Sequence, residues 1–450
     1  MMVGRSLRGL PNHVYNAHRY FFHPRGLYSA HRYFSKWNYQ QLLSFSSISG
    51  TGVGKEPVRD ANEELLKAQH EKHNHVWLFG PAHSNSPVSY FGGQRLKVVH
   101  RAWLRDACSC EKCVDPSSGQ KRFATCDIPD DLPITGVLCG EDGSLEVTWE
   151  NDFFTHDTHT SRYPLNIWGV DSLKFGSPVQ KLRTWNRSQM TKLAPFYPYR
   201  AFIEGGPEYR QAIATLFQYG LLFLRDMPHS EQVVEEVAGK IGILQETFYG
   251  KTWDVISKPN AENVAYTSSY LGLHQDLLYM ESVPRIQLLH CLKNTCGGGE
   301  SLFSDGFHTS QQFRTRFPGM VRPLTDRKVL YHYRKSGNVY QRARAVLFNG
   351  YVFWSPPFQS PVQMADQRSD GIDEYAKWLK AARKMKELLE DDLNVYEHKL
   401  KPGECVIFDN RRVLHGRRGF DTSSGERWLK GAYVENSSYV SKLWSLNLRN

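Results

Sequence analysis

Gly272-Leu273-His274-Gln275-Asp276 sets a histidine and an aspartate two positions apart, and on an extended strand that spacing sends both side chains to one face. Two such donors suit a single metal ion. A third donor has to come from far along the chain, and Val413-Leu414-His415-Gly416-Arg417 supplies His415 just beyond a strand expected to end at Asp409. Two imidazoles and one carboxylate on one side of an octahedral metal leave three positions open, as a non-haem iron(II) centre requires for dioxygen and a chelating co-substrate. A His-x-Asp pair is weak evidence alone, because the chain has 18 histidines to make such pairs by chance. Context raises it: Arg427 follows His415 by twelve residues and offers a planar fork to a carboxylate, while Gly297-Gly298-Gly299-Glu300-Ser301 can return a hydroxyl to the same pocket.

The surrounding pattern is mostly β. Short apolar strands are expected at 221–224, 286–291, 344–348 and 404–408, separated by Gly and Pro turns and without βαβ alternation. Strands of this length, distant in sequence, predict a sandwich or jelly roll with flanking helices. One helix is expected after Ser230 as N-cap, with Val233, Val234, Val237 and Ile241 on one stripe. Another is expected over 372–389, with Tyr375, Leu379, Ala382, Met385 and Leu389 on its buried face. Ahead of this region, 95–168 reads as a smaller β-rich module, in which Ser144-Leu145-Glu146-Val147-Thr148-Trp149 alternates as a strand.

At 450 residues the chain is long enough for two or three structural units, and no apolar run reaches the roughly 18 to 20 residues needed to span a bilayer. The net charge of +10 would suggest nucleic acid as a partner if it lay on the folded body. It lies instead at the start: residues 1–55 hold seven Lys/Arg and no Asp or Glu, leaving +3 for the rest. A basic, Ser-rich, acid-free leader has the composition of a mitochondrial transit peptide, and Arg32-Tyr33-Phe34-Ser35 resembles a matrix-processing site. The expected division is a transit peptide over 1–45, a linker over 46–75, a zinc-binding β module over 76–175 and a catalytic domain over 195–450. Eight cysteines do not make a disulfide scaffold in so long a chain, and three of them crowd into Cys108-Ser109-Cys110-Glu111-Lys112-Cys113. Such crowding in a reducing compartment points to zinc, with a fourth ligand left open among His156, His159, Cys126 and Cys139.

Several stretches together resemble one family. Asn263-Val264-Ala265-Tyr266-Thr267, the His274/Asp276 pair, Gln287-Leu288-Leu289-His290-Cys291, Ser304-Asp305-Gly306-Phe307, Phe408-Asp409-Asn410-Arg411-Arg412-Val413-Leu414-His415-Gly416-Arg417-Arg418 and Gly431-Ala432-Tyr433 occur in the order found in the gamma-butyrobetaine dioxygenase and trimethyllysine dioxygenase family. The resemblance spans about 95 to 445. It implies a double-stranded β-helix (jelly-roll) core preceded by a zinc module. It further implies iron(II) on His274, Asp276 and His415, and 2-oxoglutarate held by Arg427 with Ser301 and Asn263. An aromatic cage of Tyr249, Trp253, Tyr266 and Tyr433 would take a trimethylammonium group, with Asn349 lining the same pocket. Structural zinc on Cys108, Cys110, Cys113 and His159, ascorbate as reductant and a homodimer are also implied. A quaternary ammonium has no hydrogen-bond donor, so aromatic faces are its natural partners, each contributing about 0.5 to 2 kcal/mol when desolvated. The implied reaction is hydroxylation of gamma-butyrobetaine to carnitine with release of succinate and carbon dioxide. The alternatives are a trimethyllysine or other trimethylammonium-acid dioxygenase, and a non-catalytic mitochondrial binding protein that kept the fold. Three departures from the family border the expected site mouth: Arg285 where Gly is usual, Gln275 between the ligands, and Leu277-Leu278-Tyr279-Met280 after the aspartate.

Overall fold

The computed structural model describes residues 75–80, 90–91, 94–139, 144–163, 181–256, 267–361 and 369–448, with the backbone alone for 75–100, 137–139 and 369–372. The leader, nearly all of the expected linker, Asn263 and Tyr266 lie outside the described residues. The chain divides into two compact units, residues 1–169 and 170–450.

In the first unit, His75–Gly80, Gln94–His100 and Tyr90–Phe91 form a three-stranded sheet with Gln94–His100 in the middle. A second sheet is built from Ile134–Cys139, Leu145–Trp149 and His159–Tyr163, with Leu145–Trp149 central. Period-two alternation is plain in it: Leu145, Val147 and Trp149 are buried on one strand, and His159, Ser161 and Tyr163 on the next. These apolar side chains pack with Leu104, Ile128 and Leu132 into one small core.

The second unit is a sandwich whose ten strands are numbered here in chain order. They are β1 (Phe196–Pro198), β2 (Leu221–Arg225), β3 (Thr252–Ile256), β4 (Leu271–His274), β5 (Ile286–Asn294), β6 (Ser301–Asp305), β7 (Val395–His398), β8 (Cys405–Asp409), β9 (Val413–Arg417) and β10 (Arg427–Val434). The larger sheet has the order β1-β2-β8-β5-β10-β3 and the smaller β4-β9-β6-β7, so the chain passes back and forth between sheets as a jelly roll does. Phe223, Val406, Phe408 and Leu429 of the larger sheet meet Phe303, Val413 and Tyr396 of the smaller in one interior cluster. The alternate residues Leu222, Leu224, Leu288, Ile407 and Val434 pack outward against helices. Both faces of the larger sheet are thus covered, which is why its strands read as continuous apolar runs rather than alternating ones. Each fully buried large apolar side chain contributes about 1.5 to 3 kcal/mol.

Three sequence expectations shift. The helix Val233–Ile241 starts after Gln232, whose backbone is already helical and whose carbonyl accepts from Glu235 N–H, so Ser230 sits two residues too early to cap it. The long helix runs Ser369–Leu389, and Trp378, Ala381 and Leu388 join its buried face. The strand expected over 344–348 is split: Asn338–Ala345 pairs with Lys328–Lys335, whereas Leu347–Phe348 pairs with Tyr351–Val352. Asn349 (φ 48°) and Gly350 (φ 84°) form the two-residue turn of that second hairpin, a conformation that Asn-Gly accepts readily.

Candidate active site

Antiparallel β4 and β9 place His274 directly opposite His415, and Asp276 lies two residues past the end of β4. The Nε2 atoms of His274 and His415 stand 3.3 and 3.7 Å from Asp276 Oδ1, and the two imidazoles are 4.4 Å apart. One donor atom from each of the three residues falls within 4.8 Å of the others. His274 Nδ1 lies 2.9 Å from the Gly272 carbonyl, so an N–H there donates and leaves the Nε2 lone pair facing the centre of the group. Burial, reinforced by His274, pushes His415 down to about 3, keeping it a neutral imidazole. Burial works against ionisation of Asp276, but His415, His274 and the Tyr433 hydroxyl outweigh it and hold the carboxyl below its ordinary range. A neutral His415 imidazole beside an ionised carboxylate suits a divalent metal, since metal and proton compete for the same lone pairs. The backbone of Asp276 is fixed as well: its N–H donates to Asn410 Oδ1 at 2.9 Å, and Asn410 Nδ2 donates to the Asp276 carbonyl at 3.1 Å.

The triad opens into a cavity whose other end is cationic. Arg427, the first residue of β10, Ser301, the first of β6, and Arg417, the last of β9, all line it. Arg427 is 7% exposed and has no ion-pair partner among the described residues, and burial pulls it down to about 10. A buried guanidinium without a carboxylate is costly unless a ligand supplies one, so this end fits an anionic co-substrate. Gly299 (φ 77°) lies against it, and a Cβ there would stand 3.3 Å from Arg427 Cδ. Arg417 donates to the carbonyls of Thr267 and Ser269 at 2.7 and 2.9 Å. The sequence reading did not single out Arg417, although it ends the same Leu414-His415-Gly416-Arg417 run.

On the remaining side the wall is aromatic. Tyr249, Trp253 and Tyr433 line the cavity, with Trp253 and Tyr433 stacked at 4.0 Å between ring centroids. Gly431 makes the indole's position available, because a Cβ there would come within 2.4 Å of it. Tyr279, from the stretch expected at the site mouth, and Phe358, which the sequence did not point to, extend the wall, edge-to-face at 5.2 Å. Leu277, between Asp276 and this wall, holds φ 59°, a conformation that costs a branched side chain about 1 to 3 kcal/mol. Asn349 does not join the cavity: it is exposed at its hairpin tip, because the Asn-Gly turn claims it for backbone geometry. Two family departures serve the scaffold instead of the mouth. Arg285 pairs with Asp409 at 2.8 Å, and buried Gln275 bonds Trp354 through its backbone N–H at 2.9 Å and its side-chain oxygen at 3.1 Å.

The first unit carries a separate cluster. Cys108, Cys110 and Cys113 place their sulfurs 3.4, 3.9 and 3.5 Å from His159 Nε2. Cys126 is exposed and His156 lies in a turn, outside the group, while the Cys139 side chain is not among those described. Hydrogen bonding from the Cys113 thiol, with His159 adding to it, draws Cys108 below its ordinary range against the opposing effect of burial. Behind the cluster, fully buried Arg105 donates to Cys113 Sγ at 3.3 Å and pairs with buried Asp152 at 2.6 Å. Three soft thiolate donors, with Cys110 half-buried, and one imidazole fit tetrahedral zinc.

Residues 197–433 match the taurine catabolism dioxygenase TauD, TfdA family, and residues 87–167 match the gamma-butyrobetaine hydroxylase-like N-terminal domain. The chain belongs to the TauD, TfdA family and is a dioxygenase. Within it, the chain groups with the gamma-butyrobetaine and trimethyllysine dioxygenases, iron- and 2-oxoglutarate-dependent enzymes. It is 34% identical to dioxygenase str8 of Strobilurus tenacellus over 365 residues, covering 75% of this chain and 82% of that one. It is 29% identical to the gamma-butyrobetaine dioxygenase of Pseudomonas sp. (strain AK-1) over 362 residues, covering 78% and 90%. It is 26% identical to the trimethyllysine dioxygenase of Meyerozyma guilliermondii over 386 residues, covering 80% and 93%.

Proposed function

We propose that this chain hydroxylates a trimethylammonium acid, with gamma-butyrobetaine as substrate and carnitine, succinate and carbon dioxide as products. The observation that carries the reading is one cavity lined at once by the His274/Asp276/His415 group, by Arg427 without an anionic partner, and by the Tyr249, Trp253 and Tyr433 rings. His274 Nε2, His415 Nε2 and Asp276 Oδ1 would hold iron(II). Arg427 takes the far carboxylate of 2-oxoglutarate through its fork, and the Ser301 hydroxyl donates beside it. Iron(II) and 2-oxoglutarate, when bound there, would supply the oxidation that hydroxylates the substrate and yields succinate and carbon dioxide. The aromatic wall attracts the cation and keeps water from the reacting carbon. Tyr266 and Asn263, outside the described residues, belong to the same proposed wall and co-substrate site. Cys108, Cys110, Cys113 and His159 hold a structural zinc, residues 1–45 direct the chain to mitochondria, and ascorbate keeps the iron reduced.

A second reading exchanges the substrate. Tyr279 and Phe358 enlarge the aromatic wall, and Asn349 is absent from it. These favour a longer or bulkier body, trimethyllysine or an aromatic compound. Anaerobically iron-loaded protein given 2-oxoglutarate and oxygen separates the readings by succinate release and hydroxylated product. Acceleration by gamma-butyrobetaine supports the first reading, acceleration by trimethyllysine or an aromatic compound alone supports the second, and succinate release that no trimethylammonium acid accelerates removes the first. N-terminal sequencing of the mature protein tests the leader, with an intact Met1 in mitochondria counting against it.

A further inference from the structure

Adjacent strands β5 and β10 pair Gln287 with Tyr433 in direct register, so their side chains leave the sheet side by side. Both reach one atom. Gln287 Nε2 donates to Asp276 Oδ2 at 2.8 Å, and the Tyr433 hydroxyl donates to the same oxygen at 2.7 Å. The other oxygen, Oδ1, faces His274 and His415. The two oxygens of one carboxylate are thus sorted, one toward hydrogen-bond donors and one toward the imidazoles. An oxygen that already accepts two short, charge-assisted hydrogen bonds has little capacity left for a metal.

We propose that Tyr433 and Gln287 are positioning residues that hold Asp276 as a one-oxygen metal ligand, and that Tyr433 thereby joins the substrate wall to the metal site through one side chain. The inference rests on the iron reading of the triad and adds a second task for Tyr433. Its ring faces Trp253, whereas its hydroxyl serves Asp276. The two tasks are chemically separable. Phenylalanine keeps the ring and the stack while removing only the donor. Trp253 touches no triad atom through a hydrogen bond, so its replacement alters the wall alone. Partners of metal ligands typically change metal affinity by about 10- to 100-fold when removed.

The test is equilibrium dialysis of full-length, zinc-containing protein against iron(II) without oxygen, followed by substrate kinetics at saturating iron. Tyr433→Phe, which keeps the ring and removes the donor, is expected to weaken iron binding about 10- to 100-fold, a larger change than in substrate KM. Gln287→Leu is expected to weaken iron binding in the same range, and the double variant to depart from additivity because both donors share one oxygen. Trp253→Phe is expected to do the reverse, raising substrate KM and sparing iron affinity. Iron binding by Tyr433→Phe and Gln287→Leu within twofold of wild type would overturn the inference. So would an equal loss of iron in Trp253→Phe, which would mark general loosening of the cavity. Wild-type protein that takes up no iron refutes the triad reading itself, an outcome separate from a wild type that binds and variants that bind equally well.

Discussion

The two clusters of metal-type ligands differ in closure. Cys108, Cys110, Cys113 and His159 offer four donors from a six-residue turn and one neighbouring strand, and buried Arg105 and Asp152 seal them from behind. His274, Asp276 and His415 offer three, and their open side looks into a cavity with an unpaired guanidinium at one end and aromatic rings at the other. Four protein donors saturate a tetrahedral ion and leave it nothing to bind, so such a site holds the fold. Three donors on one face leave room for co-substrate and oxygen, so such a site can react. Within one chain, donor count and the surroundings of the missing positions separate scaffolding from chemistry.

The largest expected effect breaks the open site at its carboxylate. Asp276→Ala should lower succinate formation by about a thousandfold or more, as loss of a reaction's essential group does. Folding should survive, because the change is confined to the cavity, and an unchanged circular dichroism spectrum would show it. Next comes the anionic end. Arg427→Ala removes one side of a buried charge pair, a loss of about 2 to 5 kcal/mol, so KM for 2-oxoglutarate should rise at least about 30-fold. A comparable rise in substrate KM alone would instead place Arg427 at the substrate end.

These expectations begin from residues that the sequence made visible. His274 and Asp276 were legible because strand geometry makes a two-residue spacing a shared face, and the Cys108/Cys110/Cys113 cluster because its ligands are local. Arg427 needed context, its distance from His415 together with the chemistry of a carboxylate fork. Phe358 and Arg417 were not legible: their place in the cavity depends on how a short 3-10 turn and a strand end converge, and aromatics make up 13% of the chain. Asn349 shows the opposite error, since family correspondence assigned it to the pocket while its Asn-Gly turn holds it at a hairpin tip. Gln287 stood in a quoted motif without a role until the register set it beside Tyr433.

A smaller effect should follow from closing the space under the indole. In Gly431→Ala the new methyl would stand 2.4 Å from Trp253, so the ring must move. Substrate KM should rise several-fold while KM for 2-oxoglutarate stays near wild type, and equal changes in both would disconnect Trp253 from the substrate. The smallest effect is one of pH and belongs to the sheet behind the open site. Burial, with His229 adding to it, holds His290 down at about 4, and neither ring nitrogen has a partner among the described residues. Unfolded histidine takes up a proton near pH 6.5, and folded His290 does not until about pH 4. The unfolded chain therefore binds more protons across that window, and stability falls as pH drops through it. The urea midpoint should be lower at pH 5 than at pH 7.5, and His290→Phe should flatten that difference.

Metal content distinguishes the closed from the open site most directly. Full-length protein loaded without oxygen, dialysed and analysed by elemental mass spectrometry should hold one zinc and one iron per chain. Cys113→Ser should lose the zinc while any folded catalytic unit still takes iron, and Asp276→Ala should lose the iron and keep the zinc. Iron retained at full occupancy by Asp276→Ala, or zinc lost along with it, would contradict two independent centres with separate roles.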